Sequence, residues 1–197
     1  IALKDFTQVQ LVQVIQAAAS VTLILNLIAL WKQEVRQPHK THPSIARPAF
    51  SESWKAFMAM PHVRRFLIML GLGTIAFSMQ DVILEPYGGE ILGLSVSATS
   101  LLTALISGGS LLAFVLSARW LVKGINAYRI ASIGLLVGLI AFTSVIFSEP
   151  LNSATLFRIG AFLIGFGGGL FAVSTLTIAM SIEQENMTGM VIGAWGA

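Results

Sequence analysis

Residues 66–84 read FLIMLGLGTIAFSMQDVIL and are apolar apart from two hydroxyl side chains and the adjacent pair Gln80 and Asp81. An α-helix needs about 20 mainly apolar residues to cross a hydrocarbon layer roughly 30 Å thick. The run does not alternate polar with apolar residues, as a strand of a membrane β-barrel would. The stretch therefore predicts a membrane-spanning helix. Its carboxylate suggests a function, because charged side chains at membrane depth are costly and usually face a bundle interior or a polar cavity.

Four further stretches of the chain have the same length and character. They are residues 9–31, 96–118, 130–147 and 159–182, and a sixth apolar run begins at Gly189 and reaches Ala197. Of the 197 residues, 55% are hydrophobic and 11% are charged, whereas about 25% are charged in an ordinary soluble domain. The sequence therefore predicts an all-α, polytopic membrane helix bundle.

The basic residues predict how this bundle is oriented. Most of the 12 Lys and Arg residues lie in residues 32–65 and 119–129, whereas Lys4 and Arg158 fall on the opposite side. Because Lys and Arg are retained in short cytoplasmic loops, we expect both basic loops to be cytoplasmic and residues 85–89 to be periplasmic. The net charge of +3 is then a topology signal, and nucleic-acid binding is not expected.

Residues 32–65 form the one long connection and contain four Pro and three His. We interpret them as a cytoplasmic linker between the helix of residues 1–31, the last helix of an N-terminal half, and an incomplete C-terminal half, residues 66–197. Within the linker, SESWKAFMAM at 51–60 predicts either a short amphipathic helix with Trp54, Phe57 and Met58 toward lipid, or a partly ordered segment.

Glycines and glutamines form two further patterns on the spans. GFGGGLF at 165–171 contains Gly165, Gly167, Gly168 and Gly169, which favours either close helix packing or a flat face for a bulky ligand. Gln13 and Gln16 share a face of the first span, where they predict interhelical hydrogen bonds or a polar wall of a substrate pocket.

Residues 80–89 place several polar groups near the outer end of the second span. Glu85 stands about one turn beyond Asp81 on the same face, and Pro86 is expected to end the helix. Tyr87 suits the membrane interface, and Gly88 with Gly89 permits a tight return. Anchoring at the membrane interface explains Glu85 and the residues after it, but it explains Asp81 less well. For Asp81, a functional role and interface anchoring are therefore equally favoured.

No catalytic or metal-binding signature accompanies these spans. The histidines, His39, His42 and His62, all lie in the long loop, and no third ligand stands at a spacing that would complete a metal site. Nucleophile, phosphate-loop and dinucleotide motifs are absent from the sequence. We therefore expect neither an enzyme nor a protein-held metal.

The stretch GLGTIAFSMQDVILEPYGGEILGLSVSATSLLTAL, residues 71–105, closely resembles the signature of the PucC/LhaA family. These are the light-harvesting complex assembly proteins of phototrophic bacteria, the bacteriochlorophyll delivery branch of the major facilitator superfamily. GFGGGLFAVSTLTIAM at 165–180 and GMVIGAWGA at 189–197 resemble the later helices of that family. The resemblance implies a major facilitator-like fold, of which the chain would supply about half, helices six to eleven of twelve.

The resemblance also implies a function in the inner, intracytoplasmic photosynthetic membrane. The family is expected to deliver or insert bacteriochlorophyll, or a chlorophyll precursor, with antenna polypeptides or the reaction-centre core as partners. Because no histidine lies in a span, the pigment magnesium would need oxygen ligands such as Gln80, Asp81 or Asn26. Residues hypothesised to bind pigment or partner are Gln80, Asp81, Glu85, Tyr87, Gly165, Gly167, Gly168 and Gly169. The alternatives are a secondary transporter of a small amphipathic solute, with Asp81 as coupling acid, and a pigment-synthesis enzyme subunit.

Overall fold

The computed structural model describes residues 8–31, 49–182 and 188–196, and within these ranges it contains helices and no strand. Five helices are long and apolar enough to cross a membrane, so the prediction of an all-α, polytopic membrane bundle is confirmed. The helices are α1 (Gln8–Trp31), α2 (Phe50–Ala59), α3 (Pro61–Pro86), α4 (Val96–Val122), α5 (Ala127–Ser148), α6 (Ala154–Ser181) and α7 (Thr188–Gly196). A π-helical turn, Tyr87–Ile91, extends α3.

The chain divides into two compact units, Ile1–Pro48 and Ala49–Ala197. In the first, α1 is one continuous helix, and the hydroxyls of Ser20 and Thr22 donate to carbonyls one turn earlier, at 2.8 and 2.9 Å. Such bonds satisfy polar side chains inside a single apolar helix. The roles of Gln13 and Gln16 stay predictions, as does the division of the chain at residues 31 and 65. Half of the predicted linker, residues 32–48, lies outside the described residues.

Helix α6 is the central helix of the second unit and contacts α3, α4, α5 and α7. It runs without interruption through its four clustered glycines, which let neighbouring backbones approach. A Cβ on Gly167 would stand 2.8 Å from the Gly134 carbonyl oxygen of α5, and one on Gly169 would stand 2.8 Å from Ala113 Cβ of α4. The prediction of close helix packing is therefore confirmed for this segment.

Helix α3 packs on α6 through one face, which we call the α3 seam. Successive seam residues are alternately four and three positions apart in the sequence, as residues on one face of a helix are. Its members are Phe66, Leu70, Gly73, Phe77, Gln80 and Leu84. Phe66 and Leu70 join an apolar cluster near the C-terminal part of α6, and Leu84 joins another near the α6 N-terminal part. Between these anchor points Phe77 contacts Phe142 and Phe171, with ring centroids 6.2 and 5.9 Å apart.

Helix α2 forms within the predicted amphipathic segment, but the predicted orientation toward lipid is wrong for Phe57 and Met58. Phe57 is fully buried and Met58 is half-buried, and both pack in the cluster that contains Phe66. Phe50 and Trp54 stay exposed and stack with ring centroids 6.1 Å apart. The reason is that α3 begins at Pro61, earlier than residue 66, so its first turns cover one face of α2.

The prediction that Pro86 ends its helix is also wrong. Pro86 has helical angles, φ −58° and ψ −42°, and the helix continues through the π-helical turn. Proline removes a hydrogen bond to the preceding turn, but its fixed φ permits helix beyond it. The chain reverses after Ile91, where Gly93 adopts φ +61°, a left-handed conformation that favours glycine.

Apart from Asp81, most of the described charged residues of the second unit lie near the ends of its long helices. The end that holds the turn between α4 and α5 carries Arg64, Arg65, Arg119, Lys123 and Arg129. The other end carries Glu85, Glu90, Glu149 and Arg158. This separation agrees with the orientation expected from the basic loops, and the orientation itself stays a prediction.

Candidate ligand-binding site beside Gln80 and Asp81

Gln80 is the one amide in the otherwise apolar α3 seam. It lies about one turn after Phe77 and one turn before Leu84, and it is half-buried. Its Nε2 donates a hydrogen bond to Oδ1 of Asp81, the exposed neighbour in the sequence. This bond orients the amide, so the Gln80 carbonyl oxygen is the group that can accept a hydrogen bond from a ligand or coordinate a hard cation.

A polar cleft of about 400 Å³ lies between α3, α6 and α7. Thr74, Ser78, Gln80 and Asp81 line it from α3, and Gly168 lines it from α6. The remaining wall includes three aromatic side chains, Phe77, Phe171 and Trp195. Its size falls within the range of small-molecule sites, which combine apolar walls with a few polar groups that orient the ligand.

Helix α7 closes one end of this polar cleft. Trp195 Nε1 donates to Thr175 Oγ1 on α6 at 3.1 Å, and the Thr175 hydroxyl lies 2.9 Å from the Phe171 carbonyl oxygen of its own helix. The Trp195 indole, which is half-buried, is therefore held in place beside the cleft. A fixed aromatic side chain binds a flat ligand better than a mobile side chain does, because the fixed side chain loses less rotamer entropy on binding.

A side cleft of about 130 Å³ lies between α3 and α4 and shares Gln80 and Asp81 with the polar cleft. Glu85, Thr103 and Ser107 supply its other polar groups. Thr103 Oγ1 lies 3.5 Å from Glu85 Oε1, at the long limit of a hydrogen bond. The carboxylates of α3 are thus accompanied by hydroxyls of α4, which can donate to them.

An apolar cleft of about 390 Å³ lies on the opposite side of the seam, between α3 and α5. Gln80 lines it as well. The other lining residues are aliphatic or aromatic and include Met79, Ile83, Phe142 and Ile146. Gln80 therefore lines all three clefts around the middle of α3.

The structure brings some of the predicted site residues together and separates others. Gln80, Asp81 and Gly168 line the polar cleft, and Glu85 lines the adjoining side cleft. Tyr87 lines the apolar cleft together with Gln80, and its ring packs on Phe157 with centroids 5.7 Å apart. The packing glycines of α6 contact neighbouring helices and do not line any of the three clefts; they are Gly165, Gly167 and Gly169.

Thr74, Ser78 and Trp195 are among the lining residues of the polar cleft that were not predicted from the sequence. A signal for the first two was present, because Thr74, Ser78, Asp81 and Glu85 are separated by four, three and four residues. That spacing puts all four on one face of a helix. Nothing comparable in the sequence indicates Trp195, whose place depends on how α7 packs.

The donor set at the cleft fits a pigment better than a free metal ion. Among the described residues no group of three or more His, Cys, Asp or Glu side chains could hold a metal ion. A magnesium ion carried by a bound pigment would prefer an oxygen ligand. Gln80 and Asp81 both offer oxygen atoms at the cleft.

The site lies in a part of the chain that several known proteins share. A protein of Rhodobacter capsulatus named for the puhA-bchM intergenic region is 47% identical over 99% of this chain and 41% of its own length. Protein PucC of Rhodovulum sulfidophilum is 42% identical over 99% of this chain and 44% of its own length. The bacteriochlorophyll synthase 44.5 kDa chain of Rhodobacter capsulatus is 27% identical over 89% of this chain and 42% of its own length.

The chain thus spans less than half the length of these curated relatives. No solved structure is detectably similar to it, so the major facilitator-like arrangement stays a prediction. The PUCC protein family model, however, matches every residue from 1 to 197. With that match and 42% identity to a protein named PucC, the chain belongs to the PUCC protein family.

Proposed function

We propose that the chain is part of a membrane assembly factor for bacterial light-harvesting complexes that holds bacteriochlorophyll, or a chlorophyll precursor, for antenna polypeptides. Membership of the PUCC family supports the assignment, as does a relative whose name refers to bacteriochlorophyll. The observation that carries it is the convergence of Gln80, Asp81 and Gly168 on one cleft. Two segments that are distant in the sequence together form a surface for a flat, polar-edged ligand.

Each part of the polar cleft has a task in holding such a ligand. The glycine at 168 leaves room, since a Cβ there would stand 3.4 Å from the Phe77 ring and a longer side chain would enter the cleft. Phe171 and Trp195 supply flat apolar surfaces, and aromatic rings favour offset stacking. Gln80 would supply an oxygen ligand to the magnesium ion of a bound pigment, and the hydroxyls of Thr74 and Ser78 would donate hydrogen bonds to its carbonyl groups.

A carrier must release its cargo to a partner. Ser78 and Asp81, which line the polar cleft, are both exposed within the second unit. We expect the antenna polypeptides and the reaction-centre core to be the partners that receive the ligand.

Purification of the full-length protein from phototrophic cells tests the proposal. We expect bacteriochlorophyll absorbance and antenna polypeptides to co-purify with the wild-type protein, and both to decrease in a Gln80→Ala, Asp81→Ala double variant. Proton-coupled uptake of an amphipathic solute into vesicles would support a transporter instead. Turnover of a pigment precursor by the purified protein would support an enzyme subunit. Either result without bound pigment would contradict the proposal.

A further inference from the structure

Helix α2 presents an aromatic pair at one end of the second unit. Phe50 and Trp54 are 72% and 39% exposed, and their rings stack with centroids 6.1 Å apart. Trp54 also contacts Phe57, with ring centroids 5.8 Å apart. Phe57 is fully buried in the cluster that contains Phe66 and Ile178. The exposed pair is therefore connected through Phe57 to the core, which holds α2 against the bundle.

The position of α2 in the chain brings this pair close to the edge of the hydrocarbon layer. The apolar span that contains α3 begins at Pro61, and only Met60 separates it from the end of α2 at Ala59. The backbone changes direction there, because Met60 adopts the extended angles φ −79° and ψ 117°. Trp side chains are enriched at the membrane interface. We therefore expect Trp54 and its neighbour Phe50 at that interface.

Basic side chains accompany the aromatic pair. Lys55 lies on α2, and Arg64 and Arg65 lie within the first five residues of α3; all three are exposed. Of the acidic residues that the structure describes, Glu52 is the only one at this end. The described surface beside the aromatic pair is therefore positively charged.

The beginning of α3 adds to this positive charge. The helix has no capping side chain and no acidic residue in its first turn, although the partial positive charge of a helix N-terminus favours anions. Arg64 and Arg65 make the potential at this N-terminus more positive still. An anionic group from outside the chain would therefore be stabilised here.

We infer that α2 and the beginning of α3 form a binding surface for the anionic phospholipids of the membrane that the chain spans. Phe50 and Trp54 lie in the boundary between headgroups and acyl chains, as the apolar face of an interfacial helix does. Lys55, Arg64 and Arg65 contact the lipid phosphates. We call these five residues the α2 surface. A further membrane helix fits it less well, since such a partner would bring the three cations into hydrocarbon.

This inference is independent of the proposed function, because no residue of the α2 surface lines any of the three clefts. Its expected strength follows from the charges. One basic residue near an anionic membrane surface favours binding by roughly fivefold. Because salt partly screens exposed charges, three such residues give less than the product of their separate effects. We expect the α2 surface to prefer phosphatidylglycerol to phosphatidylcholine by at least about fivefold.

The test measures which lipid surrounds Trp54 when the full-length protein is reconstituted into vesicles. The bilayers mix phosphatidylglycerol with phosphatidylcholine, and the acyl chains of one lipid or the other carry bromine atoms, which quench Trp fluorescence on contact. The Trp54 signal is the difference between each protein and the same protein with Trp54→Phe. The ratio of quenching by the two brominated lipids gives the lipid preference at Trp54.

Two triple variants separate the α2 surface from the general positive charge of this end. The surface variant carries Lys55→Gln, Arg64→Gln and Arg65→Gln. The matched control loses the same charge at the same end of the bundle, from three exposed residues of the α4–α5 turn region. It carries Arg119→Gln, Lys123→Gln and Arg129→Gln.

We expect the wild type and the control to prefer phosphatidylglycerol by at least about fivefold, and the surface variant to show no preference. The wild-type preference should also fall in roughly 1 M salt, where the screening length is only about 3 Å; this measurement needs no variant to fold. Absence of quenching by either lipid would show that the α2 surface does not contact lipid. Equal quenching by both lipids, an equal loss in the control, or no effect of salt would each overturn the anionic preference.

Discussion

Asp81 on α3 and Gly168 on α6 line the same polar cleft, although two whole helices, α4 and α5, lie between them in the sequence. The first belongs to the signature QDVILEPYGG and the second to the glycine cluster GFGGG. Each motif has an ordinary structural explanation by itself, as interface anchoring and as helix packing. Their meeting at one cleft supports a shared role in binding a ligand.

Asp81 variants test whether the carboxylate acts through charge or through hydrogen bonding. Asp81 accepts a hydrogen bond from the Gln80 amide, and an asparagine at 81 can still accept one through its side-chain oxygen. We expect Asp81→Asn to keep at least half of the wild-type yield of mature light-harvesting complex. Asp81→Leu should lower the yield roughly tenfold, since the Gln80 amide then loses the partner that orients it. The measurement is complex per cell, normalised to the inserted variant.

The control for this series is Glu149→Leu, which removes an exposed carboxylate at the turn after α5. Equal losses in Asp81→Asn and Asp81→Leu would indicate a charge-dependent role. A full yield from Asp81→Leu at normal abundance would contradict any functional role and leave interface anchoring as the explanation.

We expect position 168 to accept a methyl side chain but not a longer one. A Cβ at 168 would make an ordinary contact, 3.4 Å from the Phe77 ring, so Gly168→Ala should retain pigment binding. Gly168→Leu should fill the polar cleft and reduce co-purified pigment at least about tenfold by steric exclusion. Membrane insertion should be normal, because insertion scales favour leucine.

Gly108→Leu is the matched control for Gly168→Leu. Gly108 lies on α4 with no atom of another element within 4 Å of an added Cβ. Unchanged pigment in Gly168→Leu, or an equal decrease in Gly108→Leu, would show that the cleft at Gly168 does not bind the ligand.

Gly167 is expected to affect stability and not binding. An added Cβ would stand 2.8 Å from the Gly134 carbonyl oxygen and 3.0 Å from the Gly138 nitrogen, both backbone atoms of α5. Because backbone cannot move aside as a flexible side chain can, Gly167→Ala should lower the free energy of unfolding by about 1–3 kcal/mol. Thermal unfolding in detergent measures this, with Gly108→Ala as the neutral comparison. Equal stability of the two variants would contradict the close α5–α6 contact.

The sequence predicted the number and type of the long helices because the length of each apolar run reports membrane crossing directly. The five predicted spans match α1, α3, α4, α5 and α6, with differences of a few residues at their ends. The errors at Phe57 and Pro86 have physical causes. An apolar side chain on a short surface helix can face lipid or a neighbouring helix equally well, and only packing decides which. A proline restricts the turn before it, whereas the conformation of the residues after it depends on their own contacts.

The candidate site was only partly predictable for a related reason. Polarity inside an apolar run indicated Gln80 and Asp81, and glycine density indicated Gly168. Composition could not tell that Gly168 lines a cleft while Gly167 and Gly169 contact α5 and α4, because one residue step rotates a helix face by about 100°. Trp195 joins the site through its hydrogen bond to Thr175, a tertiary contact that no local pattern encodes.

Cysteine labelling tests the predicted orientation. The 197-residue chain contains no Cys, so single cysteines introduced at Gly89 and Lys123 give a clear signal on that part of the protein. Both positions are exposed. We expect an impermeant reagent to label Gly89→Cys in intact cells, and Lys123→Cys only after the inner face is opened. Labelling in the reverse order would overturn the orientation.

Gln80 provides the sharpest test. Packing in the α3 seam favours an apolar side chain at position 80, whereas ligand binding requires the amide. Every neighbour of Gln80 along the α3 seam, from Phe66 to Leu84, is apolar, and leucine is favoured in the centre of a membrane helix by about 0.5 kcal/mol. Gln80→Leu should therefore keep or raise the thermal midpoint in detergent while pigment co-purification falls roughly tenfold, since the amide oxygen is lost. Gln80→Asn, which keeps an amide on a shorter chain, should restore part of the binding. A lower thermal midpoint in Gln80→Leu would mean that the amide stabilises the bundle, and full pigment binding by that variant would exclude Gln80 as a ligand-binding residue.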